Sequence, residues 1–494
     1  MSLGNSLRGG IKWLLAGNIG MRFLDFAFGV VLARLLVPAD FGMIVTISVF
    51  TGVVGIISSG GMGQSLIRAK EADDNDFSAV FTMQLSLGVF IYLCFYLTAP
   101  LIADFFHDPL YTDLIRVSTI VFLMRPFALI RTAWLNRDMA FKHRSIVEVA
   151  TTLLTGAASC LMAWGGMGVW ALTLSGLVGA LVKNALLARI VPLALRLNFD
   201  WARIRRHGGY GSKFTINDLL SHITAESKNL LISKLAGPAV LGLFNKAESL
   251  SRLPNEMFMS ATLQPVFRAM SKLQDDIPQT RDMYYRVITL LMVYTTPFYI
   301  GLWWVAEPFI GFVYGEKWVA VAEPMVILVA SGLFLNILYP CSVLLDAQNR
   351  LNREMVALVV RLFLTIVACL LGLNWGMAGV AWAVFFIHVF TAVYFFILVR
   401  QAVAATFAEL LHAITPGVIL NGMLFVFLGL IDQALSAWQH DMPALYLFAM
   451  VLAGMMFYVP AFLFLPMSQI KSESELWRTK LSGAYLWITD RRRA

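Results

Sequence analysis

Residues 33–42 read ARLLVPADFG and residues 233–242 read SKLAGPAVLG, so one short pattern occurs twice, 200 residues apart. Leucine, proline, alanine and glycine recur at matching positions, and Arg34 corresponds to Lys234 in charge. Each copy joins two long apolar blocks, the first to the second and the seventh to the eighth. A repeat of six spanning blocks has an even number of crossings, which predicts two parallel repeats around an axis along the membrane normal.

Two shorter motifs also occur twice, in the same order along the chain. Pro100-Leu-Ile corresponds to Pro308-Phe-Ile, and Trp164-Gly165 corresponds to Trp375-Gly376. Repeats of this kind indicate an architecture built from two copies of one unit. The last two apolar blocks lie outside the repeat. We therefore predict an all-α integral membrane protein with about 14 transmembrane helices. They should form two parallel six-helix lobes around a central cavity, plus two C-terminal helices.

The composition of the 494-residue chain supports a membrane protein. Hydrophobic residues make up 59% and charged residues 14%, against about 45–50% and about 25% in soluble domains. The apolar residues form blocks of about 20, the length of a membrane-spanning helix. This pattern excludes a soluble enzyme, a secreted disulfide scaffold and a disordered chain. The blocks are Ile11–Val37, Phe41–Ile67, Ala79–Ala103, Leu114–Leu135, Val147–Trp164, Val169–Ile190, Phe214–Leu235, Val240–Leu263, Val287–Ala306, Val319–Leu345, Met355–Leu373, Ala378–Val399, Ile414–Ile431 and Leu445–Leu465.

The distribution of basic residues predicts the topology. The net charge is +8, and with a cytoplasmic N-terminus the predicted outer loops contain only Lys317 among all Lys and Arg residues. Since cytoplasmic loops carry excess Lys and Arg, both termini are expected in the cytoplasm. The predicted divisions are an N-terminal six-helix lobe (1–192), a basic cytoplasmic linker (193–213), a C-terminal six-helix lobe (214–400), a final helix pair (401–466) and a basic cytoplasmic tail (467–494).

Two basic cytoplasmic segments show helical spacing of apolar residues. The linker has Leu193, Leu197, Trp201 and Ile204, and the tail has Ile470, Trp477, Leu481 and Ile488. Basic amphipathic helices lie on anionic leaflets, which favours an interfacial position. A solvated positive loop explains the same pattern equally well.

Charged residues inside spans are costly and usually face a protein interior or a water-filled cavity. On the first helix, Arg22 and Asp25 share one face, either as a structural ion pair or as a cavity cation held by its neighbour. The fourth helix carries Arg125 directly before Pro126. Other intramembrane cations, including Lys183 and Arg361, lie near enough to helix ends to snorkel.

The seventh and eighth helices are the most polar. A stripe on the seventh helix cannot face lipid, which favours the lining of a cavity, and its acidic and histidine groups are also candidates for a proton or cation site. The eighth helix presents a second polar face. The residues concerned are Asp218, His222, Glu226, Lys228 and Asn229 on the seventh helix, and Asn245, Lys246, Glu248 and Arg252 on the eighth.

Basic residues outnumber acidic ones within the spans, which favours an anionic substrate because Arg and Lys recognise phosphates. We predict no catalytic residues, no metal site and no cofactor, since no Walker, HExxH, GxSxG or CxxC pattern occurs. Energy would then come from an ion gradient, with H⁺ or Na⁺ left open as the coupling cation, or from the gradient of the substrate itself.

Several motifs resemble the polysaccharide transporter family. They are Leu32–Leu36 leading to Phe41-Gly42, the stretch LGLFNKAESLSRLP at residues 241–254, SKLQDD at 271–276 and GEKW at 315–318. The chain is similar to a Wzx-type flippase, nearest to the colanic-acid exporter group of the multidrug/oligosaccharidyl-lipid/polysaccharide exporter superfamily. The resemblance runs to about residue 466, and the tail beyond it matches no motif.

The resemblance implies a function. Such a flippase moves polyprenyl-pyrophosphate-linked oligosaccharide repeat units from the cytoplasmic to the outer leaflet by alternating access, for exopolysaccharide or lipopolysaccharide assembly. In relatives the cavity charges lie on the first, seventh and eighth helices, where Arg22, Asp25, Asp218, Lys228, Lys246 and Arg252 fall. Expected partners are the lipid-linked oligosaccharide and membrane lipids, with a polysaccharide polymerase and a chain-length regulator as candidates and no nucleic acid.

Three alternatives remain open from the sequence. A peptidoglycan-precursor flippase would share the fold and an anionic headgroup. A cation-coupled drug antiporter of the same superfamily should have an acidic cavity and about twelve helices, and both features disagree with this chain. An inert assembly scaffold would not need to bear the insertion cost of the charged stripes.

Overall fold

The computed structural model describes residues 3–59, 65–67, 73–208, 212–348 and 351–491. Across those ranges the chain forms helices and no β-strand. The helices are α1 Leu3–Leu35, α2 Pro38–Ser59, α3 Asp74–Phe106, α4 Leu110–Ser118, α5 Val121–Arg137, α6 Phe141–Trp164, α7 Val169–Ile190, α8 Trp201–Gly208, α9 Ser212–Ala236, α10 Pro238–Lys272, α11 Ile277–Tyr294, α12 Thr296–Tyr314, α13 Ala322–Ala347, α14 Leu351–Gly372, α15 Gly376–Val403, α16 Phe407–Ala434, α17 Trp438–Asp441, α18 Pro443–Phe464 and α19 Lys471–Arg491.

Across the described residues a helix covers each predicted apolar block, and there two blocks are interrupted; residues 60–64 of the second block are outside the described part. The fourth block is divided between α4 and α5, and the ninth between α11 and α12. The second break has a clear cause: Pro297 has no N–H to donate to the carbonyl of Val293. The hydroxyl of Tyr458 donates to that carbonyl instead, at 2.6 Å, so the break leaves no lost hydrogen bond at this oxygen.

Within the described residues, nine stretches are long and apolar enough to cross a membrane. They coincide with ten of the fourteen predicted spans, because one stretch includes both α14 and α15. The first, fourth, seventh and eighth predicted spans are not among them. Every candidate site residue lies on one of those four. The polar groups therefore concentrate on a minority of the helices rather than being spread over the whole chain.

The chain divides into two compact units, residues 1–245 and 246–494. In the first unit α1 packs on α6, α6 on α7, α2 on α9, and α3 on α4 and α5. In the second unit α15 packs on both α13 and α14, and α16 packs on α11 and α18. The predicted lobe boundaries at 192, 213, 400 and 466 stay predictions.

The repeated hairpins have matching geometry. α1 ends at Leu35 and α2 begins at Pro38, while α9 ends at Ala236 and α10 begins at Pro238. A Cβ on Gly42 would overlap the Pro238 carbonyl, and a Cβ on Gly242 would overlap the Pro38 carbonyl. The starts of α2 and α10 therefore cross in direct backbone contact, with each glycine meeting the proline of the other copy.

The prediction of one helical face from Leu193 to Ile204 is wrong. Residues 191–200 form no helix, and α8 begins only at Trp201. Leu193 and Ile204 are buried, whereas Leu197 and Trp201 are exposed. The backbone N–H of Asn198 donates to the Thr82 hydroxyl at 2.7 Å, which holds this segment against α3.

The tail does form a helix, α19, and the first residues of the tail contact the rest of the second unit. Ile470 is buried beside α18, and Arg286 pairs with Glu473 at 2.9 Å. The indole N–H of Trp477 donates to the hydroxyl of Tyr294 at 2.9 Å. The side chains of Leu481 and Ile488 lie outside the described residues.

A charge cluster fastens α8 to the N-terminus of α3. Arg203 donates to Asp73 at 2.6 Å, to Asp76 at 2.8 Å and to Asp200 at 3.1 Å. Asp73 and Asp76 also form a reciprocal capping box at the first turn of α3. The N–H of Asp76 and the guanidinium of Arg203 both favour the charged carboxylate, so the pKa of Asp73 lies below its usual value.

This lowered pKa predicts a pH dependence for the docking of α8. Because the folded pKa is lowered, the stabilisation is present above the unfolded Asp value of about 3.9 and is lost as the pH falls through the folded value. Amide exchange over residues 198–205, corrected for intrinsic rates, should be faster at pH 3 than at pH 6. Arg203→Gln should exchange quickly at both values. Equal wild-type protection at both values would contradict the role of the cluster.

Candidate functional site

Nine of the predicted site residues lie in the first unit. On α1, Arg22 and Asp25 are both exposed, and Asp25 lies in the electrostatic field of Arg22. Arg22 and Asp25 therefore interact through their charges, and each side chain remains accessible. Arg22 also has a further interaction of its own within the structure.

Two candidate residues from different helices meet one face of α2. A Cβ on Gly52 would overlap the imidazole of His222, and a Cβ on Gly55 would come within 2.9 Å of the guanidinium of Arg125. Arg125 donates from Nη1 to the carbonyl oxygen of Gly55 at 3.2 Å. The two glycines, three residues apart on one helical face, make room for both side chains. Residues that are remote in sequence, on α5 and α9, are thus brought together on α2.

The polar stripe of α9 continues along the same helix pair. Asn229 donates to Glu226 at 2.7 Å, and Lys228 donates to the carbonyl of Ala225 at 2.7 Å. Lys228 and Asn229 are both buried. Nε2 of His222 and Oδ1 of Asn229 have no hydrogen-bond partner in the described part of the chain. Asp218 lies on α9, but its side chain is outside the described residues.

Closer to the repeated hairpin, α2 and α9 are joined by a buried hydroxyl pair. The side-chain oxygens of Thr46 and Ser233 lie 2.6 Å apart, and the hydroxyl of Tyr111 is 3.4 Å from Thr46. Asn245 lies beyond the crossing, partly buried on α10. The antiparallel α2–α9 contact therefore extends from Ser233 to His222 and fixes the position of the stripe.

In the second unit, Lys246 and Arg252 lie on α10. The ammonium of Lys246 lies over two aromatic rings, 5.0 Å from the centroid of Tyr314 and 5.5 Å from that of Trp318. Such contacts stabilise a cation that has lost part of its hydration. Arg252 pairs with Glu248 at 3.4 Å, with Glu248 nearly buried and Arg252 more exposed.

The structure adds residues that the sequence reasoning did not select. Arg361 on α14, predicted to snorkel, instead interacts electrostatically with Glu248, Arg252 and the hydroxyl of Tyr339. No sequence signal pointed to these interactions, because they depend on the fold.

Lys183 was also predicted to snorkel, and it is instead part of an ion pair. Its Nζ lies 2.9 Å and 3.0 Å from the two carboxylate oxygens of Glu148, which joins α7 to α6. Its position opposite an acidic residue on the preceding helix could have suggested this pairing. The pair neutralises Lys183, so this cation serves the packing of the first unit.

Asn255 is the other overlooked residue. It is 3% exposed, and neither its amide nitrogen nor its amide oxygen has a hydrogen-bond partner among the described residues. It follows Arg252 by three residues and Glu248 by seven, so all three share one face of α10. A buried amide without partners is costly, which indicates a group that gains a partner when something else binds.

Taken together, the arrangement is suited to the binding of a ligand. Each unit holds guanidinium or ammonium groups on polar helices. Acidic groups lie nearby, and several buried polar atoms lack partners. Cations of this type bind phosphate groups, and the partnerless amide and imidazole atoms can exchange hydrogen bonds with hydroxyl groups.

Comparison with known proteins relates this arrangement to polysaccharide assembly. Residues 31–323 match the family described as "Polysaccharide biosynthesis protein". The lipopolysaccharide biosynthesis protein WzxC of Escherichia coli is 22% identical over 417 residues, which cover 83% of this chain and 84% of WzxC. The succinoglycan biosynthesis transport protein ExoT of Rhizobium meliloti is 24% identical over 332 residues, 67% of each chain.

A solved structure shows the fold. The lipid II flippase MurJ, in an inward closed conformation, superposes with a TM-score of 0.72 at 14% sequence identity. The superposition covers 90% of this chain and 97% of MurJ. The architecture is therefore that of an all-helical, two-lobed membrane protein, as the repeat predicts.

Proposed function

Because this chain belongs to the polysaccharide biosynthesis protein family, we propose that it moves a polyprenyl-pyrophosphate-linked oligosaccharide from the cytoplasmic to the outer leaflet of a bacterial inner membrane. The cargo would serve the assembly of an exopolysaccharide or a lipopolysaccharide. The names of WzxC and ExoT, which refer to lipopolysaccharide biosynthesis and to succinoglycan transport, support this assignment.

One structural observation carries the proposal. The candidate charges lie on the four predicted spans that are not among the described stretches long and apolar enough to cross a membrane. Lys246 is stabilised by the rings of Tyr314 and Trp318, and Arg125 by a backbone carbonyl. Aromatic rings and carbonyl groups stabilise these membrane-embedded cations without neutralising their charge. The cations therefore favour an anionic ligand such as a pyrophosphate and disfavour the export of cationic drugs.

We assign roles to the predicted site residues on this basis. Arg22, Lys228, Lys246 and Arg252 would hold the pyrophosphate. Asp218, His222, Glu226 and Asn229 would meet sugar hydroxyls or a coupling cation, H⁺ or Na⁺. The partnerless atoms of His222 and Asn229 support the second role, because a sugar hydroxyl can both donate and accept.

Transport would proceed by alternating access, with the lipid tail remaining in the bilayer. Both termini would lie in the cytoplasm, as the distribution of Lys and Arg predicts. A polysaccharide polymerase and a chain-length regulator are the partners that such a flippase would supply. The protein would act as a transporter and make no change to the covalent structure of its cargo.

Lipid analysis of a strain lacking this protein tests the proposal. We expect a polyprenyl-linked oligosaccharide to accumulate while surface polysaccharide disappears, because synthesis on the cytoplasmic side continues without transfer. The trapped glycan would then identify the cargo. Extracted lipids should be separated and analysed by mass spectrometry, and the intact gene supplied on a plasmid should restore the wild-type pattern.

The alternatives give different results in the same strain. Arrest of wall growth with accumulation of the peptidoglycan precursor would indicate the peptidoglycan-precursor flippase. Normal lipid-linked intermediates together with altered drug tolerance would indicate the antiporter and contradict the proposed function.

A further inference from the structure

The ninth predicted span is interrupted where α11 meets α12, and side chains of other helices supply hydrogen bonds there. Pro297 has no N–H for the carbonyl of Val293, and the hydroxyl of Tyr458 on α18 donates to it at 2.6 Å. The side-chain amide of Asn421 on α16 donates to the preceding carbonyl, that of Met292, at 3.1 Å. Two successive carbonyl oxygens near the end of α11 are thus bonded to side chains of the final helix pair.

The interruption also contains a hydroxyl group with a choice of acceptor. The side-chain oxygen of Thr295 lies 2.6 Å from the carbonyl oxygen of Leu291 and 3.0 Å from Oδ1 of Asn336 on α13. A hydroxyl has one proton, so it donates to one of these oxygens at a time. The Leu291 carbonyl also accepts the N–H of Thr295 at 2.9 Å and stays bonded in either case. Two hydrogen-bonding arrangements are therefore open to this buried group.

The repeated fold does not require this interruption. By the spacing that relates Pro308 to Pro100, the counterpart of Pro297 in the first half is Val89. Val89 lies inside α3, which is one continuous helix over Asp74–Phe106. The donors on α16 and α18 belong to the two helices outside the repeated pattern. The second half therefore has both a proline and the side chains that support it, where the first half has an unbroken helix.

Movement of α11 affects the helix that carries the candidate cations of the second unit. Residues 273–276 are the whole connection between α10 and α11. The two helices also share one buried apolar cluster, which includes Val266 and Met270 of α10 and Tyr284 and Ile288 of α11. A change of angle between α11 and α12 is therefore passed on to the end of α10.

We propose that Pro297 and the two threonines before it form a hinge in the second unit, and that Tyr458 and Asn421 of the final helix pair support this hinge. The angle between α11 and α12 changes there, and the end of α10 moves with α11. Hinges are built from a few residues at the ends of elements, as here. The purpose of the hinge rests on the proposed function, because alternating access requires a part of the transporter that bends.

A double-mutant cycle of melting temperatures tests the hydrogen bonds of the hinge, with the full-length protein in detergent. Tyr458→Phe should lower the melting temperature by about 2 °C or more, because the carbonyl of Val293 loses its donor. Pro297→Ala restores a backbone N–H for this carbonyl, so Tyr458→Phe should cause no further loss in that background. Equal losses in both backgrounds would overturn the supporting role of Tyr458.

Transport of the oligosaccharide in cells tests whether the interruption bends. Pro297→Ala should slow transport about tenfold or more and yet melt no lower than the wild type, because the continuous helix is stable but stiff. Wild-type transport by this variant would overturn the hinge. Slow transport with a lower melting temperature would indicate a role in packing and would also overturn it. Pro297→Val, which copies the first half, replaces the alanine variant if that protein does not fold.

Pro308→Ala is the matched control, because Pro308 lies within α12 and the helix continues across it. Its transport should stay within about twofold of wild type. Failure of the hinge can be told apart from failure of the proposed function. The melting temperatures do not depend on the cargo, and normal lipid-linked intermediates in a strain lacking the protein would contradict the proposed function alone. Wild-type transport by Pro297→Ala would contradict the hinge alone.

Discussion

Gly42→Ala is expected to lower the melting temperature of the purified protein by about 5 °C or more. The new methyl group would overlap the carbonyl oxygen of Pro238, which belongs to the backbone and cannot rotate away. The starts of α2 and α10 would have to separate, and with them the buried contact between Thr46 and Ser233. Thermal unfolding in detergent, followed by tryptophan fluorescence, measures the effect. Gly242→Ala should give a similar loss, since its methyl group would meet the carbonyl of Pro38.

Glycines elsewhere in the spanning helices provide matched controls. A Cβ at Gly20 or Gly301 would have no neighbour within 4 Å, so alanine fits there without displacement. Because alanine favours a helix over glycine by about 1 kcal/mol, Gly20→Ala and Gly301→Ala should melt at or above the wild-type temperature. A Gly42→Ala protein that melts together with these controls would contradict the close crossing.

The second large effect concerns transport. Arg22→Ala and Arg252→Ala are each expected to abolish transfer of the oligosaccharide while leaving the amount of protein in the membrane unchanged. Both side chains are exposed or partly exposed, so their loss leaves no large cavity in a core. Each removal takes away one charge proposed to hold the pyrophosphate. Surface polysaccharide in a complemented deletion strain gives the readout, and immunoblotting of membranes gives the protein level.

Arg116→Ala is the control for this pair. Arg116 also lies on a predicted span, but it stacks on the ring of Tyr96 at 4.3 Å and donates to that residue's carbonyl at 3.3 Å. We expect transport by this variant to stay within about twofold of wild type, a difference of less than 1 kcal/mol in barrier height. Full transport by both Arg22→Ala and Arg252→Ala would refute the assignment of these residues to the cargo.

The helical architecture was predictable because it depends on local properties. Blocks of apolar residues can be recognised in the sequence without any knowledge of contacts. The same is true of the turn pattern repeated at residues 33–42 and 233–242. The equivalent boundaries of the two hairpins follow directly from that pattern. Breaks within a span are harder to predict from the sequence. At Pro297 the helix ends where the proline lacks its N–H and Tyr458, which is remote in sequence, bonds to the free carbonyl.

The partners of charged side chains were not predictable in the same way. Arg361 and Lys183 were expected to snorkel because they lie near helix ends, a rule that considers one helix at a time. The fold instead brings Arg361 into the field of Glu248 and Arg252, and Lys183 to Glu148. Likewise, the linker shows helical spacing from Leu193 onward, but residues 191–200 form no helix, because Asn198 bonds to Thr82 and Leu193 is buried.

The reciprocal crossing of Gly42 and Gly242 also bears on the origin of the chain. A surface that contacts its own copy, with each partner giving the same residues, is the type of contact that joins two identical subunits. Before the two halves were fused, a single ancestral six-helix protein could therefore have paired with itself through this turn. In that homodimer one mutation would have altered both sides of the contact. Fusion of the genes allowed the sides to diverge, which explains why the position held by Asp40 in the first copy is held by Val240 in the second.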